Sequence, residues 1–522
     1  MVVVDLILEG LLIALLVFTP LAFGAVHVWS LALMQAALVV AAALWLARLV
    51  WTRPPSRRAQ APSADPGTFT FLGYRFVRTG LGIPVVLMVV LGAAQMIPVP
   101  AAVTRMVSPG AAVLFSRSLP GYSEAGVVDF RTLEPWLTGR DTGLIAQWLD
   151  GSSSPVQPPP SSGGARPLSI HPHRTVWGWM TLAALLMAFL VTVHTLKSRL
   201  QIERLCWVVI LVGLGLAVMG VAHRIEGTGP IYGFYPVPGG AFPMGPFLSA
   251  REFAAYMVLA LPLALGMLAW WLARLRAPLW SAGGTGALRL TGLLRQGEPI
   301  ARIGLSGFSS LAMLASLMMP ASRGAILALG LSALLYGACR FAGGYVRRAG
   351  ALARAAGLAG GAMALLLLGS WQPDRPGLEE EPAQSVSLAS MVRGWSAALD
   401  VAPGYPLLGA GLGAYADVRL GAPSLAAHPD GLSRLLLETG LIGLVLSLWG
   451  CAVLVRRHVL AGMPRDRGFP ADTALRHGMA VGLLAILILC LWDVSPVTGA
   501  VSLLAAVLAA LLVAENRREA GA

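Results

Sequence analysis

Apolar residues run along this chain in long blocks, and polar residues are confined to the gaps between them. Blocks of about 17–22 residues are long enough, at roughly 1.5 Å per residue, to cross a hydrocarbon core of about 30 Å as helices. They predict spans at 6–24, 28–49, 81–97, 176–196, 205–222, 252–271, 303–319, 325–340, 350–369, 439–455, 475–492 and 498–514. The expectation is an all-α polytopic membrane protein with about twelve transmembrane helices; alternating barrel strands do not look like this. No basic region or small-residue cleavage site precedes Leu6–Gly24, so that run predicts a retained first span.

The gaps are unequal. Three long ones cover 98–175, 223–251 and 370–438, and with both termini on one side of the membrane all three fall on the opposite side. The first is rich in Pro, Ser and Gly around Gly151–Gly164, which predicts a flexible stretch. The second, from Gly227 to Pro246, mixes Gly, Pro and aromatics and is expected to lie against the membrane face. In the third, Leu388, Met391, Val392, Trp395 and Leu399 recur at helical spacing, which predicts an amphipathic helix on the bundle or the lipid interface. The chain thus divides into residues 1–369 with nine spans, the loop 370–438 as a candidate lid, and residues 439–522 with three spans and a short tail.

Composition agrees with this picture. Of 522 residues 56% are hydrophobic and 12% charged, with a mean hydropathy of +0.72, against about 45–50% and about 25% in soluble domains. The net charge of +13 could suggest nucleic acid, but all but one of the 38 basic residues are arginine and they sit mostly in short connections. Their bias toward the even-numbered connections instead sets orientation, with both termini in the cytoplasm. Cys206, Cys339, Cys451 and Cys490 have no paired spacing, which predicts neither zinc nor a structural disulfide. The cytoplasmic connections are too short for a nucleotide-binding domain, so energy must come from a substrate or an ion gradient.

Arginines that remain on the outer face despite the bias are candidates for chemistry. Arg224, Arg251, Arg323, Arg393 and Arg434 lie close to span ends, and a guanidinium suits forked contacts with phosphate oxygens. The alternative for each is snorkelling, or pairing with Glu226, Glu252 or Glu438. Arg323 follows Ser322 in the tight turn 320–324. His428, just before a helix expected from Gly431, is a candidate general base. His171, His173 and His223 compete for that role, with His27 a weaker candidate. The stretch Gly409-Ala410-Gly411-Leu412-Gly413 lacks the preceding strand of a nucleotide fingerprint and reads as a turn where backbone approaches helices closely. Asp5 and Glu9 read as structural.

Several of these segments together resemble the O-antigen ligase and polymerase superfamily: Arg393-Gly394-Trp395, the run Tyr405 to Gly413, His428, the run Leu436 to Gly443, Ser322-Arg323-Gly324-Ala325, and the early Pro20 to His27. The likeness extends from about residue 10 to 510. It implies a bacterial inner-membrane glycosyltransferase, independent of metals and cofactors, that takes a glycan from undecaprenyl pyrophosphate on the periplasmic side. Carried over residue by residue, Arg323 and Arg251 would hold the pyrophosphate with Arg393 as a further candidate, and His428 would take the acceptor proton. Arg224, Arg434, Glu438 and Ser322 are secondary candidates. A ligase would use the lipid A core as acceptor, whereas a polymerase would use the growing glycan, with a chain-length regulator as a possible partner. A transporter of solutes or polyprenyl lipids shares the twelve-span layout, but charges near mid-span are scarce and no matching half-repeat is visible.

Overall fold

The computed structural model describes residues 2–51, 68–71, 74–118, 165–196, 198–226, 230–236, 243–281, 297–319, 323–342, 388–426, 430–460, 473–493 and 499–521. The chain is a helical, multi-pass membrane protein. Among the described residues eight helices are long and apolar enough to cross a bilayer. They are α1 (Val2–Leu21), α2 (Val28–Trp51), α6 (Pro172–Thr195), α7 (Arg199–Glu226), α8 (Ala250–Ser281), α9 (Gly297–Met318), α13 (Gly431–Val453, continuing as a π-helix over Leu454–Leu460) and α15 (Gly499–Gly521). Three more apolar helices, α3 (Gly82–Ala94), α10 (Arg323–Ala342) and α14 (Thr473–Leu489), are shorter in their apolar part. The expected span at 350–369 lies outside the described residues.

Helix limits exceed the apolar runs where polar residues can end a helix properly. His171 caps α6, its Nδ1 accepting from the Arg174 amide at 3.3 Å with Pro172 in the first turn. Asp430 caps α13 in the same way, accepting from the Ser433 amide at 2.7 Å. The shortest of these helices is α3, at 13 residues, or about 20 Å.

The centre of the bundle is α8. Every residue from Phe253 to Ala264 is buried, as expected of a helix that is apolar all round. It packs most extensively against α14, where small residues let the backbones meet. A Cβ on Gly266 would stand 2.8 Å from the Ala474 carbonyl oxygen, and one on Gly482 would stand 3.0 Å from that of Leu259.

The helix termini gather at two ends. At the proximal end, where α1 begins, carboxylates meet arginines: Asp5 with Arg48 at 2.7 Å, Glu9 with Arg204 at 2.6 Å, Glu203 with Arg302 at 2.6 Å. Arg274 lies over the Trp270 ring, 4.2 Å from its centroid. A hairpin absent from the sequence expectation, β1 (Thr68–Phe71) with β2 (Tyr74–Val77), is tied to this end through the Val77 amide and His194 Nε2 at 3.2 Å.

The distal end carries a cap. Strand β3 (Pro98–Val99) pairs with β4 (Arg166–Pro167), flanking the short helices α4 (Ala101–Val107) and α5 (Pro109–Ser118). These meet α11 (Leu388–Val401) and α12 (Tyr415–Gly421) around a small core of their own that includes Phe115, Ala398, Tyr405, Tyr415, Val418 and Leu437. Two of the three long connections therefore fold together. The expected amphipathic helix is present as α11, but Val392 and Leu399 face outward, while Ala398 is buried.

Candidate functional site

The cap is joined to the membrane bundle by a break in α13. Gly440 has φ 65° and ψ −168°, outside the helical region, so the carbonyls of Leu437 and Glu438 and the amides of Leu441 and Ile442 lose their helical partners. The glycine-rich turn supplies all four. Ala410 N donates to Leu437 O at 2.8 Å and Gly411 N to Glu438 O at 3.1 Å; Leu441 N and Ile442 N donate to Pro406 O and Leu407 O at 2.9 and 3.2 Å. Gly409 and Gly411 take left-handed φ of 75° and 116°. A Cβ on Gly411 would collide with the Ser169 and Thr175 hydroxyls, and one on Gly409 with the Glu438 carbonyl. Close approach of backbone to a helix is what this turn requires of its glycines.

Gln95 fixes the arrangement from the end of α3. Fully buried, it donates through Nε2 to Leu408 O (2.6 Å) and Glu438 O (2.8 Å), and its Oε1 accepts from Leu412 N at 3.1 Å. Nothing in the sequence reading singled it out, although a lone amide closing an apolar run was a visible signal.

Around this joint stand charged and phenolic groups. The Glu438 carboxylate is 2.8 Å from Arg434 Nε and 3.4 Å from the Tyr415 amide. Among the described residues no hydrogen bond engages the Arg434 terminal nitrogens, which remain available to a ligand. The Tyr415 hydroxyl donates to Ala426 O at 3.0 Å, and burial pushes its phenol above the usual value of 10.0, with Asp430 adding to the rise. The Asp430 carboxylate is used by the Ser433 amide and hydroxyl, at 2.7 and 2.6 Å. Gly394 of α11 faces it, a Cβ there standing 3.6 Å from Asp430 Oδ2. His428 lies outside the described residues, but both flanks of its segment, Ala426 and Asp430, are held here, and Arg393 is exposed on the neighbouring helix.

The start of α8 belongs to the same end. Gly431 N donates to Cys490 O at 2.9 Å, which sets the start of α13 against the end of α14. Asp493, three residues on, is within electrostatic reach of Glu252, as is Arg251. Glu252 Oε2 is buried with no hydrogen-bond partner among the described residues, and 3.6 Å separates it from where a Cβ on Gly24 would stand. Arg323 opens α10 at this end with its side chain outside the described part, and Ser322 also lies outside it. Arg224 is exposed near the end of α7. The structure thus assembles the Arg393 helix, Arg434 and Glu438 directly, and brings Arg251 and Glu252 to the same end by way of Asp493.

The competing histidines have other work. His171 caps α6, His173 accepts from Trp177 Nε1 at 3.2 Å, and His223 Nδ1 lies 3.4 Å from Gly245 O. Asp5 and Glu9 are salt-bridged at the opposite end. Among the described residues no three His, Cys, Asp or Glu side chains stand together as a metal would require. No protein-family model matches the chain, and no curated protein matches it either.

Proposed function

We propose that this chain is a glycosyltransferase of the O-antigen ligase type, moving a glycan from undecaprenyl pyrophosphate to an acceptor hydroxyl at the distal, periplasmic face of the inner membrane. The observation that carries the reading is the joint between cap and bundle. There Arg434 is held through Nε by Glu438, one helical turn from Asp430 and beside the Arg393 helix, next to the segment that bears His428. The clamp offers fixed cationic donors, and the segment offers an imidazole.

In the proposed reaction the acceptor hydroxyl oxygen attacks the anomeric carbon while His428 takes its proton. The bond from that carbon to the pyrophosphate oxygen breaks, and its electron pair leaves with the pyrophosphate. Negative charge grows on the leaving group, and arginines beside it would stabilise the transition state more than the ground state. Arg434 and Arg393 would serve from the cap, with Arg251 and Arg323 from the helix starts. Asp430 has its carboxylate engaged by Ser433 and is no rival base.

Purified protein in lipid nanodiscs, given a defined undecaprenyl-linked oligosaccharide and candidate acceptors, tests this. Transfer to a lipid A core acceptor identifies a ligase, and transfer to a second lipid-linked repeat identifies a polymerase. His428→Ala should lower kcat by about 10²–10⁴-fold with the protein still membrane-inserted. Full turnover by that variant would remove the base from the scheme, and translocation of intact lipid with no glycosidic product would replace it with a transporter.

A further inference from the structure

At the proximal end three arginines close on one pair of indoles. Trp270 and Trp271 lie near the end of the apolar part of α8, both buried, with ring centroids 4.8 Å apart. The Arg274 guanidinium carbon stands 4.2 Å from the Trp270 centroid and 5.7 Å from that of Trp271. Arg199, the first residue of α7, stands 5.0 Å from the Trp270 centroid, and Arg302 of α9 stands 4.7 Å from that of Trp271. An aromatic face attracts each cation, but a neutral ring cancels none of their charge.

Carboxylates serve only one of these rings. Glu203 and Glu298 both meet Arg302, at 2.6 and 2.7 Å. Arg274 is exposed, and among the described residues no hydrogen bond or ion pair engages it. The Trp271 indole N–H, on the ring flanked by Arg274 and Arg302, is buried with no acceptor among the described residues. The cluster is therefore rich in donors and positive charge and short of acceptors. Cation–π contact accounts for where Arg274 rests, but it leaves the Trp271 N–H unpaired, which is costly away from water. A phosphodiester brings what is missing, a negative charge and acceptor oxygens that suit the forked donors of a guanidinium.

We infer that this cluster binds the phosphate of an anionic phospholipid, of the phosphatidylglycerol or cardiolipin type, in the leaflet at the proximal end. Its position favours a lipid over free phosphate. The indoles sit where a membrane helix ends, the depth at which aromatic and basic residues meet headgroups. Leu200, beside Arg199, and Ile300, two residues before Arg302, are exposed apolar side chains that acyl chains would cover. A zwitterionic headgroup carries a cation of its own into a place that already holds three, so the anionic lipid is preferred. The site needs nothing from the glycan-transfer reading.

Full-length protein in detergent, titrated with phosphatidylglycerol, cardiolipin, phosphatidylcholine or inorganic phosphate and weighed by native mass spectrometry, tests this. The two anionic lipids are expected to be retained about tenfold more tightly than phosphatidylcholine, and inorganic phosphate should not displace them. Arg274→Gln should weaken that retention about fivefold. Trp271→Phe, which keeps a ring and removes the N–H, should weaken it about threefold. Arg393→Gln, which removes one positive charge at the opposite end, should leave it unchanged. Equal retention of phosphatidylcholine, or wild-type retention by either cluster variant, overturns the inference. Displacement by inorganic phosphate as readily as by phosphatidylglycerol overturns the lipid in favour of the free anion. If Arg274→Gln does not insert, the lipid ranking and Trp271→Phe decide.

Discussion

The two ends of the bundle are built by different means. At the proximal end side chains do the joining: Asp5, Glu9 and Glu203 each meet an arginine on another helix within 2.7 Å. At the distal end the backbone does it. Gly24, Gly409, Gly411, Gly413 and Gly440, together with Phe23, Ala25 and Tyr232, all hold positive φ there, and the closest packing is between main chain and main chain. Ion pairs hold helices in register and are then satisfied. A contorted backbone can instead leave a guanidinium such as that of Arg434 engaged through Nε alone among the described residues. The first arrangement is architecture; the second is where a charged ligand can be received.

Breaking the distal joint should have the largest effect. Gly411→Val drives a side chain into Ser169 and Thr175 at a φ of 116°, and should cost about 3 kcal/mol or more. The check is hydrogen exchange across 404–414, which should rise before the membrane helices melt. Next comes a matched pair of carboxylates. Glu438→Ala leaves Arg434 without its partner in a site where the Glu438 side chain is 7% exposed, and should cost about 3 kcal/mol with loss of transfer. Glu9→Ala releases Arg204, whose side chain is already 54% exposed. It should cost about 1 kcal/mol by thermal unfolding and leave transfer intact. Equal loss of transfer in both variants would erase the distinction between the ends.

Smaller again is Tyr415→Phe. It removes one hydrogen bond to Ala426, worth about 1 kcal/mol, and should lower kcat more than it raises KM because it frees one flank of the His428 segment. The smallest effect is on pH. Burial holds the Tyr405 and Tyr415 phenols above the ordinary 10.0, so their contribution is complete below pH 10 and declines at higher pH as the unfolded chain ionises first. A Tyr405→Phe, Tyr415→Phe protein should show a flatter stability profile above that pH.

Much of the bundle was legible because hydropathy is a local property. Each expected span within the described residues is helical over most of its length, and the capping residues His171 and Asp430 stand where the helices begin. The Arg434–Glu438 pair is likewise a four-residue spacing on one helix. The cap was not legible, because Gln95, Ser169, Ala410 and Glu438 meet across hundreds of residues through main-chain contacts that leave no periodic trace. On α11, foreseen as an amphipathic helix on the bundle or the lipid interface, the small residues Gly394 and Ala398 make the closer approach, and Val392 and Leu399 are left exposed.

Gly440 has a mechanical consequence. It divides one continuous rod into an upper piece that bears Arg434 and a lower piece immersed in lipid, with the glycine turn clasped around the knuckle between them. A thinner or thicker bilayer that tilts the lower piece must therefore tug on the upper one, so turnover in vesicles of graded acyl length should follow bilayer thickness, and stiffening the knuckle should blunt that response.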